Sequence, residues 1–265
     1  MPAPKIVSNL AVGSRIERFS LTDQAYGRIK RLLMTGAVEP GRHLVLRDVA
    51  RQLGISVTPV REALLQLVAE KSLELFDRGS IRVPLLSLPA CLELWRIRLL
   101  LEGECTEAAA ANTSAELIES LTKSHQAMVA AKQARRLSDA LLHNMEFHFA
   151  LYRAANLPLL LALIEDIWAR SAAYVRFFHE THVEGRTTAA KQGPHMHATV
   201  IAAMAAGDPV RARKGVERDL LEIREGITKL LSQQPSAHAD TVATRTVFSP
   251  EVPRRPRRTA GKRLP

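Results

Sequence analysis

Two cysteines are the entire thiol content of this 265-residue chain, and its apolar residues, 46% of the total, never run long enough to cross a bilayer. The longest apolar stretch, Leu157 to Ile164, is far short of the ~20 residues a spanning helix needs. The N-terminus also lacks the basic-then-apolar layout of a secretion signal, so a cytoplasmic protein with no membrane partner is expected. If Cys91 and Cys105 share one helix they lie about 21 Å apart along its axis, which excludes a disulfide between them and leaves two small buried hydrophobes. Catalytic signatures are missing as well. There is no GxSxG, no phosphate-cradling glycine loop and no HExxH, and the cysteines lack metal-ligand spacing, which argues against an enzyme.

What is present is a chain long enough for about two packed domains at ~150 residues each. Its charge is unevenly placed. Residues 1–84 carry 13 Lys or Arg against 8 Asp or Glu, residues 85–234 carry 17 against 17, and residues 235–265 carry 7 against 2. Basic ends around a neutral middle suit a polyanion partner at the ends and a different task between them.

Residues 1–20 lack a strong period and are expected to form a flexible arm. Residues 21–84 predict three helices and a hairpin. Helix one covers roughly 22–35 and is stopped by Gly36, the second is short and ends at Gly54, and Ser56 caps the third, whose apolar face is Val60, Leu64, Leu67 and Val68. Two extended runs follow, joined by Asp77-Arg78-Gly79-Ser80. That order is a winged helix-turn-helix. From 85 to 234 the pattern is helical, with about six helices. The expected boundary signals are Ser87 with Pro89, Thr113 with Glu116, Asn156 before Pro158, and Gly207-Asp208-Pro209. The fold class expected is therefore mainly α, a winged helix-turn-helix followed by an all-helical bundle. Residues 235–265 are too poor in apolar content to offset the entropy of ordering and are expected to be a disordered basic tail, either adding phosphate contacts or dispensable.

In a helix-turn-helix the second helix of the pair enters the major groove with its N-terminal residues toward the base edges. Here those residues are Ser56, Val57, Thr58 and Arg61, with Val57, Thr58 and Arg61 expected to point outward. An arginine at that place can bond guanine twice, worth ~1–3 kcal/mol of discrimination. Arg47 on the preceding helix, and Arg78 with Gly79 at the hairpin tip, are placed for phosphate or minor-groove contact. Any one of these arginines can equally be a solvated surface charge, but together they point to double-stranded DNA.

The run from Thr22 to Pro84, and above all GISVTPVREAL at Gly54 to Leu64, resembles the DNA-binding domain of the GntR family of bacterial transcription regulators. ELWRIRLLLEGECTEAAA at Glu93 to Ala110 resembles the start of the all-helical (FCD-type) effector domain of its FadR-like branch. The resemblance spans about residues 22–232. It implies a homodimer on a palindromic operator, acting as a repressor in the sense of release or rearrangement when a small-molecule effector enters the helical domain. One departure stands out. The family pattern has arginine where this chain has Val57, which implies a shifted operator preference, since a valine can meet a thymine methyl but not a guanine edge.

By spacing alone, Asn144 and His148 share one helix face and can be either part of a site or a hydrogen-bonded core pair. The resemblance adds a divalent metal held by an aspartate and three histidines. Carried onto this chain, that set becomes Asn144, His148, His197 and Asp219, suited to Zn²⁺, Mn²⁺, Fe²⁺ or Ni²⁺, or else surviving only as hydrogen-bonding groups for an effector. Arg98 and Arg176 are the candidates for holding a carboxylate effector, with Glu102 as the alternative partner of Arg98. His179 and His182 have metal-like spacing but read as an exposed cluster. The competing functions are an all-helical metal-dependent hydrolase and a regulator whose helical domain only dimerises.

Overall fold

The computed structural model describes residues 20–184 and 196–233. The expected N-terminal arm and basic tail lie outside the described residues, as does the side chain of His182.

The first half is α1 (Leu21–Met34), β1 (His43–Leu44), α2 (Leu46–Leu53), α3 (Val57–Ala69), β2 (Glu74–Phe76) and β3 (Ser80–Arg82). Ser20 starts α1 with a reciprocal capping box to Asp23, and Gly36, at φ 65°, turns the chain out of it. Gly54 ends α2 in the left-handed region, so α2 and α3 meet across a short turn. The wing holds one strand more than the sequence suggests, because β1 joins an antiparallel sheet of order β1-β3-β2 with Leu44 opposite Ile81. Two residues are too short a run for alternation to reveal. Ile29, Leu33, Val60, Leu64, Leu67, Leu73 and Ile81 form the core of this half.

The second half is α4 (Leu88–Ala110), α5 (Ala115–Gln133), α6 (Leu137–Ala154), α7 (Pro158–Glu184), α8 (Met196–Ala205) and α9 (Pro209–Gln233). Ser87 accepts from the Ala90 amide at the head of α4, and Asp208 accepts from the Arg211 amide at the head of α9. The expected Thr113 cap is displaced by one residue. Ser114 accepts from the Leu117 amide, while the Thr113 hydroxyl turns back to the Ala110 carbonyl. Tyr152, Phe147, Leu121, Leu151 and Ile164 fill the bundle core. Cys91 and Cys105 both lie on α4, buried and unpaired, and burial pushes their thiols up to about 11 and about 12.

Helix α7 carries the contacts between the halves. Asp166 accepts from Lys30 on α1 at 2.6 Å, the Trp168 indole donates to the Met34 carbonyl at 2.9 Å, and Arg170 donates to the Glu70 carbonyl at 2.5 Å. Ala169 and Ala173 complete the apolar core of the first half. Tyr174 receives the Leu86 amide and donates to the Pro84 carbonyl, which ties down the chain between β3 and α4. Burial works against the charge of Lys30, but its bonds to Asp166 and Tyr26 outweigh that and raise its pKa.

Candidate functional site

The outer face of α3 follows from its inner one. Val60, Leu64 and Leu67 are fully buried, so the stripe Thr58, Arg61, Glu62 and Leu65 is left exposed at i, i+3, i+4 and i+7. Val57 departs from its expected place. It is half-buried and packs against the core, because 57, 60, 64 and 67 form one helical stripe. Ser56 holds the cap position in extended conformation, yet its side chain makes no capping bond, leaving its hydroxyl on the exposed end of the helix. Arg47 is exposed on α2. At the wing tip, Arg78 and Gly79 both adopt positive φ, and Arg78 is 94% exposed with only a 3.9 Å approach to Asp77. Arg82 behaves differently, held by Glu74 at 2.6 Å with its guanidinium over the Phe76 ring.

In the bundle, a line of buried polar groups runs from α4 to α8. Arg98 donates through Nε to Glu102 Oε1 at 2.6 Å and through Nη2 to Oε2 at 3.3 Å, with the two side chains 3% and 1% exposed. Glu102 therefore supplies the anion that a buried arginine requires. Tyr152 donates its hydroxyl proton to Glu102 Oε2 at 2.6 Å, and His148 Nδ1 lies 3.0 Å from the same hydroxyl. Burial first, and the Glu102 charge second, hold the Tyr152 pKa well above its ordinary value, so the hydroxyl keeps its proton. With that proton committed to Glu102, the phenol oxygen accepts from His148 Nδ1–H. In the neutral ring this makes His148 Nε2 the nitrogen that carries the lone pair.

That nitrogen faces His197 Nε2 at 3.3 Å and Asp219 Oδ2 at 3.5 Å. One ligand atom from each of His148, His197 and Asp219 falls within 4.8 Å of the others, and all three residues are buried. Phe147 stacks on the His197 ring at 3.8 Å and fixes its plane. Two imidazole nitrogens and a carboxylate at this spacing fit a borderline divalent metal ion, and the tautomer imposed on His148 is the one a metal requires. Asn144 lines the same small cavity as Arg98, His148, Trp168 and Asp219.

Arg176 does not. It is turned away from the cavity, donating to Glu180 at 2.7 Å and to Ser138 at 3.2 Å, because Trp168, Ala172 and Val175 are the α7 residues that face the cavity. His179 is half-buried with its ring against Phe178. Tyr152 and Trp168 are the polar participants that sequence reasoning overlooked. Tyr152 had a signal, since 144, 148 and 152 continue one i, i+4 stripe. Trp168 had none, because a tryptophan among apolar residues reads as core.

Comparison with known proteins finds two matching stretches of the chain. Residues 21–83 match the family described as bacterial regulatory proteins, gntR family, and residues 93–222 match the FCD domain. The HTH-type transcriptional regulator McbR of Escherichia coli K12 is 29% identical over 220 residues, covering 83% of this chain and 96% of that one. The HTH-type transcriptional repressor GlaR of the same organism is 26% identical over 200 residues, covering 74% and 90%. The solved structure of E. coli McbR/YncC superposes with a TM-score of 0.69 over 81% of this chain and 98% of that one. A putative GntR regulator from Rhodococcus sp. RHA1, at 18% identity and a TM-score of 0.61, shares the fold. These relatives are regulators and not enzymes, and none of the described helices is long and apolar enough to cross a membrane. The chain belongs to the GntR family of transcriptional regulators, with a DNA-binding helix-turn-helix domain followed by an FCD domain.

Proposed function

We propose that this regulator binds a palindromic operator as a homodimer and represses until a small carboxylate reaches a metal-bearing cavity in its helical domain. The reading part is residues 21–84 and the sensing part 85–234. Thr58 and Arg61 meet base edges, Ser56 and Arg47 meet phosphates, and Arg78 with Gly79 follows the backbone or minor groove. Val57 contributes mainly packing, so the operator lacks the guanine contact that an arginine there would give.

The observation that carries the sensing half is the buried meeting of His148, His197 and Asp219, with the His148 tautomer set by Tyr152 and Glu102. His148, His197 and Asp219 would hold a divalent metal such as Zn²⁺, Mn²⁺, Fe²⁺ or Ni²⁺, with the Asn144 amide oxygen beside them. A metal there supplies an open coordination site for a carboxylate. Arg98, paired with Glu102, lines the same cavity. Metal analysis of protein purified without a histidine tag tests the site. About one transition-metal ion per chain is expected, and its loss in His197→Ala. A metal content no higher than that of His197→Ala would remove the metal from the proposal. A duplex selected by the protein from a random pool tests the other half, with an inverted repeat as the expected product.

A further inference from the structure

The cavity at the proposed effector site is about 20 Å³. A single water needs ~10–15 Å³ by the same measure, and ligand pockets begin near ~300 Å³. It holds an ion or a water and excludes an organic acid, so a wall has to move before any such ligand binds. Most of the wall belongs to α4, α6, α7 and α9, whose inward faces are the bundle core itself. The rest is Met34 and Thr35, the end of α1 and the residue after it, which belong to the DNA-reading half.

That piece of wall is held by the packing of Met34 against the edges of both apolar cores and by a few polar contacts. Trp168 spans the boundary, its indole N–H on the Met34 carbonyl while its ring lies 5.3 Å from the His148 ring and 4.7 Å from the Arg98 guanidinium. Four residues back, the Lys30 ammonium reaches across to Asp166. Gly36 follows directly, and a β-carbon there would come within 2.6 Å of the Ala172 carbonyl, which shows how closely this turn is seated on α7. Along the same boundary α1 borders an open cleft of about 530 Å³ against α6, which Met34 also lines. The turn therefore has space to move into.

We infer that the last turn of α1, with Met34 and Thr35 as its cavity-facing residues, is the lid of the effector site. A ligand larger than an ion displaces it and so shifts the helix on which α3 rests. The inference builds on the reading of this cavity as the effector site. The mechanical link to DNA is direct, because α1 packs on α3 in the apolar core, Thr22 donates to Glu62, and Tyr26 donates to Glu70. Cavity occupancy and DNA affinity then share one moving part, and each alters the other by the same factor.

A built-in occupant tests this without knowing the effector. Ala172→Leu and Val175→Phe each add side-chain volume at the cavity wall, and in either variant hydrogen exchange at residues 31–36 should rise. Affinity for the selected duplex should fall about tenfold or more. Adding Met34→Ala to the filled variant returns the space on the lid side and should restore affinity to within about threefold. Asp166→Asn, which loosens the latch without touching the cavity, should raise exchange at 31–36 as well. Unchanged exchange at 31–36 in the filled variants and in Asp166→Asn overturns the lid, as does failure of Met34→Ala to restore affinity. Absence of duplex binding by the wild type, with exchange behaving as expected, instead overturns the DNA-reading half of the proposed function and leaves the lid standing.

Discussion

The outward stripe of α3 and the buried line from Arg98 to His197 are both polar, yet they are built in opposite ways. On α3 and the wing, Thr58, Arg61 and Arg78 stand in water, and no close ion pair is formed by either arginine among the described residues. In the bundle, Arg98, Glu102, Tyr152 and His148 are each bonded to the next and shielded from water. The first arrangement leaves donors free for a partner that arrives later. The second already satisfies its own groups, and it leaves the far end, where His148 meets His197 and Asp219, for a ligand. Recognition by exposed groups tolerates single losses. A buried chain does not, because each member is the solvation of its neighbour.

The contrast predicts where single substitutions hurt most. Arg98→Ala removes the only cation bonded to Glu102 among the described residues and leaves a carboxylate in the bundle core. A loss of about 3–5 kcal/mol in denaturant unfolding is expected, the cost of orphaning one half of a buried pair. Arg61→Ala, by comparison, should leave unfolding within about 0.5 kcal/mol. Equal effects of the two substitutions on stability would erase the distinction between the regions.

Tyr152→Phe comes next and acts on function through geometry. The ring still fills its place, but His148 Nδ1 loses its acceptor, so the imidazole is no longer held in the metal-binding tautomer. Zn²⁺ affinity, measured by competition with a chromophoric chelator, should fall about 10–100-fold. The loss should exceed any change in affinity for the selected duplex measured without metal.

Arg61→Ala tests the exposed side at about 1–3 kcal/mol of base discrimination. Affinity for the selected duplex should drop, with relaxed preference at one base pair of each half-site. Arg78→Ala, at the wing tip, should weaken binding to all duplexes alike and lower the slope of log affinity against log salt by about 0.9. A change in sequence preference on Arg78→Ala would move base reading to the wing.

The two regions also differed in how far the sequence disclosed them. The caps Ser87 and Asp208, and the stops Gly36 and Gly54, act within a few residues, so the helices and their order could be read locally. The outward stripe of α3 followed from the spacing of Val60, Leu64 and Leu67, although the same spacing, carried one turn back, turns Val57 inward. His148 with His197 could be paired only through the family resemblance, since 48 intervening residues hide their proximity. Lys30 with Asp166, and Met34 with Trp168, bridge the two halves at separations of 136 and 134 residues, and no periodicity reports contacts of that range. Arg176 was misplaced for a related reason. A helix position one step from Val175 points some 100° away from it, so being near a cavity in sequence is not facing it.

Val57 lies where the two ways of building meet, and Val57→Arg produces the smallest of these effects. Half of the valine is in the core stripe, so the substitution removes some packing, but an arginine can lay its stem along the same surface and extend its charge outward. Stability should fall by about 1 kcal/mol or less. The salt slope should steepen by about 0.9 if the new guanidinium meets a phosphate, and a guanine preference should appear if it reaches a base edge. A binding-site selection that returns the same sequence with the same salt slope would mean that this position faces neither. The reading surface of α3 would then begin at Thr58.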